Sequence, residues 1–189
     1  MLNVWHKMNL ANKITTVRFL LALLFVLITA LFHGWAADLL AGLVFIVAAC
    51  TDFVDGHIAR SRGLITTFGK FMDPLVDKIL VTAALVVLAS MARIPSWVVI
   101  LILAREFAIT GLRTVAVSSG VVIAASPLGK IKTACQMTAI ALLLLYTLPF
   151  LPNTPVYVLG QILMYAALVL TLLSGWDYLK GCKNLFSDM

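Results

Sequence analysis

Six long apolar runs divide this sequence, and they constrain its fold more than any other feature. About 20 apolar residues in a helix cross a bilayer, and 62% of the 189 residues are hydrophobic. Each run is bounded by charges or helix breakers, and together they cover residues 14–32, 39–59, 71–91, 96–118, 128–150 and 155–175. The sequence therefore predicts an all-α polytopic membrane protein with six transmembrane helices, in a single domain over residues 1–189.

Basic residues are distributed unevenly among the loops. The 14 Lys and Arg residues exceed the 8 Asp and Glu residues, for a formal net charge of +6, but no nucleic-acid motif accompanies this surplus. If the N-terminus is cytoplasmic, every Lys and Arg except Arg93 lies at a cytoplasmic helix end or loop, as the positive-inside rule requires. We therefore predict cytoplasmic termini, with the positive charge facing membrane lipids and an anionic substrate. The first run is long for a secretory signal and precedes five similar runs, so we expect it to be retained.

Half of the acidic residues lie in one short segment. Asp52 and Asp55 are three residues apart near the end of the second run, and Asp73 and Asp77 are four apart in the third. Each pair shares one helix face, and the predicted topology places both pairs at the cytoplasmic interface. Unpaired carboxylates would repel each other, whereas Mg²⁺ and Mn²⁺ favour such oxygen ligands. We therefore predict a divalent metal site.

Salt bridges are the plain structural alternative for these acids. The nearby cations are Arg60, Arg62, Lys70 and Lys78. Interfacial ion pairs explain one aspartate well, but four acids on two adjacent helix ends favour a functional site. Gly56 and Gly69 lie beside the acids, where they permit either close helix packing or close approach of a ligand.

A second polar set follows in the fourth and fifth runs. Arg105, Glu106 and Arg113 lie within an apolar helix, and Lys130 and Lys132 open the next one. Arginine suits bidentate contact with phosphate, so this set predicts a pocket for a phosphorylated substrate. The alternative is that the long side chains extend to the interface and that Arg105 and Glu106 simply pair.

The acidic segment resembles the signature of the CDP-alcohol phosphotransferases, D-x-x-D-G-x-x-A-R, eight residues, then G-x-x-x-D-x-x-x-D. Every fixed position is present, as Asp52, Asp55, Gly56, Ala59, Arg60, Gly69, Asp73 and Asp77. The segments NLANKITTVRFL, AREFAITGLR and GKIKT are similar to the bacterial phosphatidylglycerophosphate synthase branch of that family, so the resemblance extends over nearly the whole chain.

This resemblance implies a homodimer of six-helix subunits in the bacterial inner membrane, with its active site at the cytoplasmic face. The donor would be CDP-diacylglycerol and the acceptor sn-glycerol 3-phosphate, giving phosphatidylglycerophosphate and CMP. Asp52, Asp55 and Asp73 would hold two Mg²⁺ or Mn²⁺ ions, and Asp77 would take the proton of the attacking hydroxyl and also contact metal. The cytidine nucleotide pocket would comprise Asp55, Gly56, Ala59, Arg60 and Gly69, with Arg62 and Thr66 as further contacts. The acceptor phosphate would bind Arg105, Arg113, Lys130 and Lys132.

Two other functions remain open at this point. A sibling enzyme would use the same donor with another alcohol, such as inositol phosphate or serine, and the basic set disfavours an acceptor without phosphate. A divalent-cation transporter would also place acids within a membrane. However, the acids gather at one interface, and the sequence contains no paired broken helices of the transporter type.

Overall fold

The computed structural model describes residues 10–62, 67–118 and 127–181, and the regular structure of these residues is helical. Its helices are α1 Leu10–Leu31, α2 Trp35–Arg62, α3 Thr67–Ser90, α4 Ser96–Ser118, α5 Pro127–Leu145 and α6 Asn153–Gly181. Each of the six overlaps most of one predicted apolar run. The all-helical prediction is therefore confirmed for the part of the chain that is described.

The differences from the predicted runs lie at the helix ends. α2 continues to Arg62 and α3 begins at Thr67, because polar residues can extend a helix beyond the apolar run that hydropathy detects. α5 ends at Leu145, earlier than the predicted residue 150. The amide of Leu148 donates to the carbonyl of Leu145 at 3.2 Å in a turn, and Pro149 disfavours a helical conformation for the residue before it.

Two helical segments in the described part of the chain are long and apolar enough to cross a membrane, Leu128–Leu145 and Asn153–Tyr178. Three further apolar segments are shorter, Thr15–Leu31, Trp35–Thr51 and Lys78–Ser90. Large hydrophobic side chains such as Leu20, Ile100 and Leu173 are exposed along the helices, as on surfaces that face an apolar medium. The helices are therefore those of a membrane protein, while the six-span arrangement stays a prediction.

One compact unit contains Met1–Leu88 and Leu144–Asn153. α1 and α2 pack against each other, with the ring centroids of Phe25 and Phe45 6.2 Å apart. The turn between them contains Gly34 at φ 102°, a left-handed conformation that glycine adopts without steric cost. The hydroxyl of Thr147 donates to the carboxylate of buried Asp38 at 2.6 Å, which offsets the cost of burying that acid.

The other compact unit contains Ala89–Leu143 and Thr154–Met189, and ring and side-chain contacts define the direction of its helices. The rings of Trp97, near the start of α4, and Tyr165, near the middle of α6, lie 6.3 Å apart. Further along both helices, Arg105 Nη2 donates to Ser174 Oγ at 2.8 Å. α4 and α6 therefore run parallel. The prediction of one domain over the whole chain stays a prediction.

α5 runs antiparallel to both of these helices. Near its start, Lys132 bonds to Glu106 of α4. Near its end, the carbonyl of Leu143 accepts a hydrogen bond from Arg93 Nη1 at 2.9 Å, just before α4. A Cβ atom on Gly160 of α6 would lie 2.9 Å from Leu143 Cδ2, so this glycine permits close helix packing. These contacts show which residues of α4, α5 and α6 lie at the same level along the three helices.

Candidate functional site

The predicted metal and nucleotide residues lie in the last part of α2 and the first part of α3. Asp52, Asp55, Gly56, Ala59, Arg60 and Arg62 belong to α2, and Gly69, Asp73 and Asp77 belong to α3. Each acid pair lies on helical backbone at a spacing of about one turn, and the shared face of each pair stays a prediction. Thr66 and the side chains of the other nine residues lie outside the description, so their contacts stay predictions. Among the side chains that are described, no group of three or more His, Cys, Asp or Glu could hold a metal.

The second predicted set forms a network that joins α4, α5 and α6. Arg105 Nη1 donates to Glu106 Oε1 at 3.1 Å, and Lys132 Nζ bonds to the same carboxylate oxygen. The other terminal nitrogen of Arg105 donates to Ser174 Oγ. Lys132 and Ser174 are buried, with 5% and 0% of their surfaces exposed. Because buried charges require partners, this network holds two cations in fixed positions within an apolar unit.

Arg113 and Tyr178 form the adjoining part of this network. Arg113 Nη2 donates to the hydroxyl of Tyr178. The guanidinium carbons of Arg105 and Arg113 lie 5.7 Å and 5.1 Å from the centroid of the Tyr178 ring, within the range of cation–π attraction. Tyr178 therefore orients both arginines through its ring and one of them also through its hydroxyl.

Gly175 supports the position of Arg105 from α6. A Cβ atom at this position would lie 3.1 Å from Arg105 Cγ, closer than most side-chain contacts, and 3.5 Å from its Nε, at ordinary contact distance. The missing side chain thus permits the stem of Arg105 to lie against α6, with its end at Ser174. A side chain at this position would displace Arg105 by a few tenths of an ångström.

The network leaves hydrogen-bond donors available in its interior. The Nε atoms of Arg105 and Arg113 are buried and have no partner among the described residues. The pairing of Arg105 with Glu106 was the alternative explanation for this set, and that pair is present. It does not account for the buried lysine and second arginine beside it. Three of the four predicted phosphate contacts, Arg105, Arg113 and Lys132, therefore belong to one network, and Lys130 lies exposed on α5.

Sequence reasoning missed the contribution of α6. Ser174 and Gly175 lie at the end of an apolar run, and Tyr178 follows one turn after Ser174. The sequence feature that could have revealed this contribution is the four-residue spacing of Ser174 and Tyr178, which places both on one polar face of the helix. That face could not be paired with α4 before the parallel direction of the two helices was known.

Comparisons with known proteins agree with the family that the motif resembles. Residues 8–173 match the family model described as CDP-alcohol phosphatidyltransferase. The chain belongs to this family. The transferase interpretation is thereby favoured over the cation transporter, because the match covers the acidic segment as well as α4 and α5.

Three curated members of the family are similar over most of their length, and each is named CDP-diacylglycerol–glycerol-3-phosphate 3-phosphatidyltransferase. The protein of Bacillus subtilis (strain 168) is 44% identical over 182 residues, covering 90% of this chain and 93% of the relative. That of Salmonella paratyphi A is 37% identical over 186 residues, covering 95% and 98%. That of Rickettsia bellii is 36% identical over 180 residues, covering 94% and 97%.

Proposed function

We propose that this chain transfers the phosphatidyl group of CDP-diacylglycerol to sn-glycerol 3-phosphate, releasing CMP and forming phosphatidylglycerophosphate. The observation that carries the proposal is the network of buried Lys132 with half-buried Arg105 and Arg113, which offers cations and unpaired donors to a phosphate. Similar family members are named for the same reaction.

The chemistry requires one bond to form and one to break. The 1-hydroxyl oxygen of the acceptor attacks the phosphorus that carries the diacylglycerol, and the bond from that phosphorus to the CMP oxygen breaks. Asp77 takes the hydroxyl proton, since an alcohol is a poor nucleophile without a base. CMP leaves with the bonding electron pair.

Enzymes of this family generally depend on divalent cations. The carboxylate oxygens of Asp52, Asp55, Asp73 and Asp77 suit Mg²⁺ or Mn²⁺, and we assign them two ions, which would stabilise charge on the pyrophosphate. Arg60 adds positive charge at the nucleotide. The cytidine nucleotide pocket comprises Asp55, Gly56, Ala59, Arg60, Arg62, Thr66 and Gly69.

The acceptor phosphate binds at the α4–α5–α6 network. Glu106 bridges Lys132 and Arg105 through one carboxylate oxygen, and Tyr178 holds Arg113, so the cations are oriented before the substrate arrives. Such preorganisation places the acceptor for attack at low entropic cost. Lys130, exposed at the start of α5, draws the anion towards the site.

The lipid donor and the water-soluble acceptor require an interfacial site. We assign the chain to the bacterial inner membrane, as a homodimer of six-span subunits among membrane lipids, with both termini and the active site on the cytoplasmic side. The supporting observation is the concentration of Lys and Arg in alternate loops.

The test is release of CMP by purified protein in detergent or lipid with CDP-diacylglycerol, glycerol 3-phosphate and Mg²⁺ or Mn²⁺. We expect turnover that requires all three components. Inositol phosphate and serine serve as acceptor controls, because the basic network alone does not choose between phosphorylated alcohols. No CMP release with any acceptor would refute the transferase, and preference for inositol phosphate would identify the sibling enzyme.

A further inference from the structure

Gln136 of α5 is a buried polar residue that the network does not use. Only 2% of its surface is exposed, and its amide nitrogen Nε2 is buried without a hydrogen-bond partner in the described part of the chain. An unpaired buried amide costs about 1–3 kcal/mol. Within an apolar helix, such a cost indicates either a ligand or a function.

The register of the three helices places Gln136 next to the cation network. It lies four residues after Lys132, so both side chains share one face of α5, and the helix rise places Gln136 about 6 Å further along. Because α5 is antiparallel to α4 and α6, this level corresponds to residues one turn before Glu106 and Ser174. Those residues are Ile102 and Thr171, and both are fully buried. Gln136 therefore belongs to the layer directly beyond the charged one.

The other polar group of that layer is already engaged. The hydroxyl of Thr171 donates to the carbonyl of Ala167 at 2.6 Å, and Ile102 offers no polar atom. Beyond this layer, Ala139, Ile140 and Leu143 continue the buried face of α5 as apolar residues. Gln136 is thus the last hydrogen-bond donor on this face before the apolar interior.

The unpaired atoms of this unit share one chemistry. The buried side-chain nitrogens without partners in its described residues are Nε of Arg105, Nε of Arg113 and Nε2 of Gln136. All three donate, so they call for a ligand rich in oxygen acceptors. Two belong to the arginines that we assign to the acceptor phosphate, and the third is an uncharged donor one helical turn from the level of Arg105 and Lys132. A phosphorylated polyol supplies both kinds of oxygen over that span.

We propose that Gln136 donates a hydrogen bond to the middle hydroxyl of the acceptor and thereby makes the site specific for a phosphate ester with a vicinal diol. This inference rests on the proposed function, whose phosphate contacts it extends. A site built to bond a substrate hydroxyl discriminates against the analogue that lacks it, because its own donor is then left unpaired. Gln136 thus determines specificity, whereas the arginines and Lys132 supply affinity for phosphate.

The test compares two acceptors in the CMP-release assay, glycerol 3-phosphate and 1,3-propanediol monophosphate. Both carry the phosphate and the attacking primary hydroxyl, and the second lacks the middle hydroxyl. For Gln136→Leu we expect kcat/KM for glycerol 3-phosphate to fall about tenfold to a hundredfold, with little change for the propanediol ester. The preference between the two acceptors is the decisive quantity.

A stability measurement separates this role from a structural one. Because Gln136→Leu removes an unpaired buried donor, the thermal midpoint without substrate should stay equal or rise, while added glycerol 3-phosphate should stabilise this variant less than the wild type. Gln161→Leu is the matched control. Gln161 donates to the carbonyl of Arg93, so its loss should lower the midpoint and leave the acceptor preference unchanged.

Three results would overturn the proposal. They are an equal loss of kcat/KM for both acceptors, an unchanged preference in Gln136→Leu, and a change confined to the KM for CDP-diacylglycerol, which would assign the amide to an oxygen of the lipid. Absence of turnover by the wild type with either acceptor would instead refute the proposed function itself.

Discussion

Gly175→Ala should weaken acceptor binding without weakening the fold. The new methyl group would lie 3.1 Å from Arg105 Cγ, so the arginine stem must move by a few tenths of an ångström. Cγ lies close to the backbone, and such a shift is carried to the guanidinium group. Its contact to Glu106 at 3.1 Å would then stretch beyond good hydrogen-bond geometry, and its contact to Ser174 at 2.8 Å would lengthen towards that limit.

The expected magnitude follows from those two contacts. A hydrogen bond to a charged group contributes about 1.5–3 kcal/mol, and stretching weakens it without abolishing it. We therefore expect a loss of about 1–1.5 kcal/mol in acceptor binding, which is roughly a fivefold to tenfold rise in KM. The helix itself gains, because alanine in a helix interior is favoured over glycine by about 1 kcal/mol. Affinity and stability should thus change in opposite directions.

Gly111→Ala is the matched control on α4. A Cβ atom at Gly111 would meet nothing within 4 Å, and the helix propensity gain is the same. The assay measures KM for glycerol 3-phosphate and the thermal midpoint for both variants at saturating CDP-diacylglycerol. Gly111→Ala should keep the wild-type KM. If the two variants have the same KM, or if Gly175→Ala raises only the KM for the lipid donor, the role assigned to Arg105 is wrong.

Three further predictions test individual residues. Asp77→Asn should abolish CMP release while the protein still elutes as folded material in detergent, and full turnover would remove Asp77 as the base. Tyr178→Phe should raise the acceptor KM about threefold to tenfold through loss of one hydrogen bond. Tyr178→Leu should raise it further, because the cation–π contacts are lost as well. Equal acceptor KM values for the two variants would exclude a role for the ring. Lys132→Met should raise the acceptor KM by at least tenfold and leave the donor KM unchanged. A change in the donor KM alone would instead assign this lysine to nucleotide binding.

The sequence predicts the helices well because apolar length is a local property. All six predicted runs lie mostly on helices, and the errors are confined to helix ends. At the end of α5, for example, Pro149 rather than hydropathy determines where the helix stops. The partners of Arg105 could not be predicted in the same way. Ser174 is 69 residues away along the chain, and their contact depends on the parallel packing of α4 and α6.

The same limit applies to the buried amide. Gln136 is an ordinary residue in the sequence, because a glutamine within an apolar helix is as compatible with a paired core position as with a ligand. Gln161 illustrates the paired case, since it donates to a backbone carbonyl. The difference between the two glutamines lies in what surrounds each side chain, and spacing along one helix does not encode it.

The charge of the network bears directly on the choice of acceptor. Arg105, Arg113 and Lys132 carry three positive charges, and Glu106 offsets one of them. Two positive charges remain in a partly buried site, which matches a phosphate monoester of about −1.5 to −2 at neutral pH. An acceptor without phosphate brings no opposite charge to these cations, so it gains none of the charge-assisted hydrogen bonds that a phosphate ester makes there. We therefore expect serine and unphosphorylated glycerol to give no measurable CMP release, and turnover with either would show that the network holds something other than the acceptor phosphate.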